Sequence, residues 1–173
     1  MNNTADVTMT GETFGNIFGY SVSTAGDVNG DGYSDVMAGA NNFGGSLGRA
    51  YIFFGGASMN NAADVTITGE TGGSYLGSAL SYAGDVNGDG FFDVIIGARD
   101  YSGSQGRAYI FLGGASMDNT ADVTMTGEAI SNFFGTSVSS AGDVNGDGYS
   151  DVIIGARGYS TNTGRAYIYF GGA

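Results

Sequence analysis

The sequence predicts an all-β fold built from three tandem copies of one unit, and three observations carry that reading. The same phrases return at a fixed interval. Asp27, Asp85 and Asp143 open one of them 58 residues apart, and Asp6, Asp64 and Asp122 keep that spacing, as do Arg49, Arg107 and Arg165. The apolar runs inside a unit are short and bounded by Gly, Asn, Asp and Ser, the pattern of strands and turns. Thirty-four glycines in 173 residues disfavour helices, and no stretch combines helical periodicity with caps.

The units cover about 1–58, 59–116 and 117–173 of a single domain. Each reads ADVT(M/I)TGE, a variable stretch, AGDVNGDG, an apolar run, a second variable stretch and GRAYI(F/Y). In the first unit, strands are expected at Val7–Thr10, Tyr20–Ala25, Asp35–Ala40 and Arg49–Phe54, by length and by β-branched and aromatic content. The runs Val94-Ile95-Ile96 and Tyr109-Ile110-Phe111-Leu112 are apolar on both alternating faces, so they need cover on both sides. Stacked blades supply that cover. The expected architecture is therefore a β-propeller of four-stranded antiparallel blades, three per chain; a β-solenoid is the alternative, with shorter usual periods. The near-identity of the copies points to recent duplication or deliberate design.

Composition narrows the function. Five Arg, no Lys and seventeen acidic residues give a formal charge of −12. Nucleic acid and anionic membrane surfaces both require a basic face, so neither is an expected partner. The absence of Cys and His removes disulfides, thiolate and imidazole metal sites, and Ser-His-Asp or Cys-His nucleophiles. No apolar stretch has the length of a membrane span. The first residues carry neither a basic nor an apolar leader region, so no signal peptide is expected and an excised or designed segment is.

The strongest chemical signal is the loop Asp27-Val-Asn29-Gly-Asp31-Gly-Tyr33-Ser-Asp35. It returns with Asp85, Asn87, Asp89, Phe91 and Asp93, and again with Asp143, Asn145, Asp147, Tyr149 and Asp151. Side-chain oxygens stand at loop positions one, three, five and nine, with glycine at six. This matches the opening of an EF-hand loop, in which residue seven ligates through its backbone carbonyl. Tyr33, Phe91 and Tyr149 are thus carbonyl ligands. The acidic residue that closes an EF-hand is replaced by Ala38, Ile96 and Ile154, and strands flank the loop instead of helices. Hard oxygen ligands select Ca²⁺, three ions per chain, with Mg²⁺ the weaker candidate. The competing reading is a set of Asn-Gly and Asp-Gly turns bearing solvated acids.

On these residues the unit resembles the FG-GAP repeat of integrin α-subunit propellers and related bacterial proteins. Phe18-Gly19 and Phe134-Gly135 match the FG element, with Leu76-Gly77 in the second copy. Gly39-Ala40, Gly97-Ala98 and Gly155-Ala156 match Gly-Ala-Pro without its proline. The resemblance implies structural Ca²⁺ on one propeller face and partner recognition on the other. It also implies that the ADVTMTGE strand belongs to the outer edge of the preceding blade, which leaves the strand at Val7–Thr10 without a blade of its own. Closed propellers usually have four to eight blades. The expectation is a homodimer that closes a six-bladed ring, each chain donating its first strand to its partner's last blade. A nine-bladed trimer and closure with further blades are the alternatives.

Alternate loops emerge on alternate faces. Opposite the calcium loops should lie the variable stretches Thr13–Ile17 and Asn41–Leu47, Thr71–Tyr75 and Arg99–Gln105, and Ala129–Phe133 and Arg157–Thr163. A protein or glycan ligand would bind there, with Tyr101 and Tyr159 beside Arg99 and Arg157 as stacking candidates; packing within the scaffold is the competing and favoured role. The repeated Arg49, Arg107 and Arg165, and Glu12, Glu70 and Glu128, suit structural pairing better than catalysis. Only Asp100 and Asp118 lie outside the repeated acids, on opposite faces, so a carboxylate-pair glycosidase or lyase is the weaker reading. The sequence thus reads as a non-catalytic scaffold, or alternatively a lectin-like propeller. The millimolar calcium of extracellular modules places the parent protein outside the cell or on its surface.

Overall fold

A computed structural model describes residues 3–173. Its strands are β1 (Phe18–Gly26), β2 (Asp35–Ala40), β3 (Arg49–Phe53), β4 (Val65–Thr68), β5 (Leu76–Gly84), β6 (Asp93–Ala98), β7 (Arg107–Phe111), β8 (Val123–Thr126), β9 (Phe134–Gly142), β10 (Asp151–Ala156) and β11 (Arg165–Tyr169). They form three antiparallel blades: β1-β2-β3-β4, β5-β6-β7-β8 and the three-stranded β9-β10-β11. The ADVT strand of one unit is therefore the outer strand of the blade before it. Val65 pairs with Ile52 on β3, and Val123 with Ile110 on β7.

Three details depart from the sequence-based expectation. Val7–Thr10 forms no strand, because ADVT strands pair with the preceding blade and no blade precedes it among the described residues. The first strand starts at Phe18, two residues early, because a bulge at Gly19 (φ +82°) lets the chain resume pairing at Ser21. Short turns assigned as helical occur at Phe43–Ser46, Tyr101–Ser104 and Tyr159–Asn162, each with three residues at positive φ inside, so they are compact loops without helical periodicity.

The apolar runs are covered on both sides as their composition requires. In the middle blade Val94, Ile95 and Ile96 are all fully buried. One blade interface joins Met37, Ala50, Ile52 and Ile67 to Ile96, Ala98, Tyr109 and Phe111. The next joins Ile95, Ala108, Ile110 and Met125 to Phe134, Val152, Ile154 and Ala156. Full burial of each large side chain contributes roughly 1.5–3 kcal/mol.

Backbone also crosses between blades. Gly48 bridges Leu76 and Gly106 bridges Phe134 in parallel, and Leu76 and Phe134 donate their N–H groups to the carbonyls of Leu47 and Gln105, each at 3.1 Å. At Gly106 (φ +83°) a Cβ would run into the backbone of Phe134, so only glycine fits. At Gly103 (φ +70°) the nearest atom would be Ile130 Cγ2 at 3.7 Å. Urea unfolding should separate the two. Gly103→Ala carries only the left-handed backbone cost of about 1–2 kcal/mol. Gly106→Ala should cost clearly more, since the blades must also part, and equal losses would contradict this role.

Candidate metal centre

Each AGDVNGDG loop joins the first two strands of a blade and folds around its own side-chain oxygens. In the first, Asp27 accepts the N–H groups of Asp31 (3.0 Å) and Gly32 (2.8 Å). Asn29 Oδ1 accepts the same Asp31 N–H at 3.0 Å, and Asp31 accepts the N–H of Tyr33 at 2.9 Å. Side-chain oxygens from positions one and three thus sit against one amide, with the position-five carboxylate adjacent. Gly30 (φ +74°) and Gly32 (φ +91°) supply the turns. The loops at Asp85 and Asp143 repeat these bonds.

The ninth position has a different setting. Asp35 is fully buried, and its two oxygens accept the N–H groups of Val28 (2.8 Å) and Gly55 (2.7 Å). Asp93 binds Val86 (2.7 Å) and Gly113 (2.8 Å), and Asp151 binds Val144 (2.8 Å) and Gly171 (3.0 Å). The carboxylate therefore clamps the loop base to the exit of the blade's third strand. Among the described residues no three acids gather closely enough to hold a metal ion by themselves. The donors remain oxygen-only, and an ionised carboxylate has about four acceptor sites, of which the clamp takes two. This donor set fits a hard cation.

Burial pushes the carboxyl of Asp35 up, opposed by the two amides. In the middle blade, burial carries Asp93 up to about 6, with the charges of Asp89 and Asp85 adding to it. Exposed Asp143 is held down, chiefly by the Gly148 N–H.

The following blade caps each of the first two loops. Gly114 donates to the Val28 carbonyl at 2.7 Å and Gly172 to that of Val86 at 2.8 Å, while Phe92 and Ser150 donate to Asp27 (3.4 Å) and Asp85 (2.9 Å). These buried valines and the capping glycines are contributors that sequence reasoning overlooked; an apolar residue repeated inside an acidic loop was the available signal.

The profile of the FG-GAP repeat matches residues 18–53, 77–111 and 134–169, so each match takes in one whole loop. The chain belongs to the FG-GAP repeat family. No curated protein matches it.

On the face of this FG-GAP protein opposite the loops, the variable stretches do come together. Tyr75 donates its N–H to Ser46 (3.0 Å), Asp100 to Ser74 (3.3 Å) and Gly158 to Asn132 (3.0 Å). The aromatic and basic residues singled out there pack within the scaffold. The Arg107 guanidinium lies 3.7 Å from the Tyr101 ring and pairs with Glu70 at 3.0 Å. Arg165 lies 3.5 Å from the Tyr159 ring and pairs with Glu128 at 2.9 Å; Arg49 covers Phe43 at 3.4 Å and pairs with Glu12 at 2.8 Å. Arg157 covers Phe133 at 4.1 Å, and Arg99 pairs with Asp100 at 3.0 Å. Asp118 accepts the Thr120 N–H within its own turn.

The clamp has a pH signature. In chelator the folded Asp93 carboxyl keeps its proton up to about pH 6, whereas an unfolded one releases it near 4. The folded state then binds more protons in that window, so stability falls as pH rises through it. Melting temperature measured in chelator across this range should decline with a shallower slope in Asp93→Asn. That variant should also be less stable by about 1–3 kcal/mol, because its amide NH₂ faces a backbone donor. An unchanged slope would contradict the assignment.

Proposed function

We propose that this chain is a non-catalytic, calcium-stabilised propeller module that closes into a six-bladed ring with a second copy of itself. Ca²⁺ would be held by the oxygens of positions one, three and five, the carbonyl of position seven and the free acceptor sites of position nine: Asp27, Asn29, Asp31, Tyr33 and Asp35, and their counterparts in the other two loops. The ion supplies positive charge where like-charged carboxylates otherwise repel, and this chain's residues supply the geometry that receives it. Among the described residues no helix is long and apolar enough to cross a membrane. FG-GAP repeats are typical of extracellular and surface proteins, where millimolar calcium keeps weak sites filled.

The observation that carries the assembly reading is a graded exposure. Ile52 and Ile110 occupy one position of successive blades and are 0% and 5% exposed, whereas Ile168, their equivalent on β11, is 51% exposed. Ile110 is covered by the third blade, among Phe134, Val152 and Ile154, and its strand is edged by β8, Val123–Thr126. The segment Val7–Thr10 has the same four residues, Val-Thr-Met-Thr, and the same flanks. Docked on β11 of a second copy in the register of β8 on β7, Val7 meets Ile168 and Thr10 meets Arg165. Met9 already packs against the open face of the first blade with Ala38, Tyr51 and Phe53. An uncovered apolar face of this kind is an aggregation hazard.

A lectin-like reading has one observation in its favour, an open cleft of about 760 Å³ lined by Thr71, Tyr75, Arg99, Asp100 and Tyr101. Arg99 and Asp100 bind each other there, which leaves the scaffold reading ahead.

Calorimetric titration should find three calcium ions per chain. Each site filled at tenfold its dissociation constant should add about 1.4 kcal/mol to stability. A melting temperature indifferent to millimolar calcium and to chelation would contradict the reading.

A further inference from the structure

Resting on the calcium reading above, we propose that the Asp143–Asp151 loop is a composite site completed by a second copy of the chain, so that ion binding there and ring closure promote each other. The three loops share one sequence pattern but not one environment. Val28 and Val86 are 0% and 7% exposed under their caps, while Val144 is 51% exposed. Aromatic rings lie against the loop glycines: a Cβ on Gly30 would meet Phe91 Cε1 at 2.5 Å, and one on Gly88 would meet Tyr149 Cε1 at 2.6 Å. At Gly146 nothing lies within 4 Å.

The missing parts exist at the other end of the molecule. Tyr33, Ser34 and Gly56 are the first-unit equivalents of Phe91, Phe92 and Gly114, and of Tyr149, Ser150 and Gly172. Tyr33 is exposed, with no loop to rest on among the described residues. Placed by the strand exchange, a second copy's Tyr33 ring covers Gly146, its Ser34 N–H reaches the Asp143 carbonyl and its Gly56 N–H reaches that of Val144. A further pair falls into place. Ser21 donates its hydroxyl to the Gly77 carbonyl of the next blade at 2.6 Å. Its equivalent Ser137 has no partner among the described residues and would meet Gly19 of the second copy.

The caps grip the backbone at positions one and two, beside the ligands. Without them, an ion at the third loop must also order a segment held only by the bonds of its own blade. Closure removes that cost, and by reciprocity the ion tightens closure by the same factor.

The test uses Ile168→Asp, which removes only half-buried packing inside the chain, and a circular dichroism spectrum like the wild type's shows that the blades remain folded. Light scattering should find it monomeric. Calcium titration followed by NMR at the amides of Gly32, Gly90 and Gly148 should then show Gly148 responding about fivefold or more weaker than the other two. In the wild-type dimer all three should titrate together, and dilution should reproduce the split. A monomeric variant whose three glycines titrate alike overturns the composite site, as does a variant that remains a calcium-saturated dimer. Failure of Gly32 and Gly90 to titrate counts against calcium binding itself, and the inference falls with it.

Discussion

Everything in this molecule follows from sheets that are apolar on both faces. A blade whose central strand reads Val-Ile-Ile cannot expose either side, so each blade is stable only between neighbours and the fold is a chain of mutual cover. The sequence serves that requirement at every level. Glycines stand where one blade's backbone crosses the next, at Gly48 and Gly106. Small residues such as Ala50 and Ala108 line the interfaces beside Ile67 and Met125.

The same requirement explains why the acidic loops belong to the fold and not merely to its surface. The buried ninth-position aspartate ties the loop to its own blade through two amides, and the second-position valine ties it to the next blade. A loop built this way transmits order in two directions. Charge and packing are parts of one device, and a cation that quieted the former would strengthen the latter.

Much of this was legible in the residues. The 58-residue period fixed three units, the two-sided apolar runs fixed stacked blades, and the oxygen spacing marked the loops. The offset of the ADVT strand into the preceding blade was legible as well, through the family resemblance. Other features were not, because they depend on contacts between units. Nothing local distinguishes Asp35, a buried clamp on two amides, from Asp27, a half-buried acid that accepts the amides of its own loop. Nothing local reveals that the ring of Phe91 rests on Gly30, or that Tyr101 and Tyr159 serve as platforms for Arg107 and Arg165. Chemically identical side chains acquire different roles from the blade beside them.

The measurement that bears most directly on this account is the molar mass in solution, by light scattering in excess calcium and again after chelation. The account predicts about twice the 17.5 kDa of the chain in calcium, with dissociation or aggregation once the ion is removed. A stable 17.5 kDa species in calcium would contradict it, because the third blade would then be content without a neighbour.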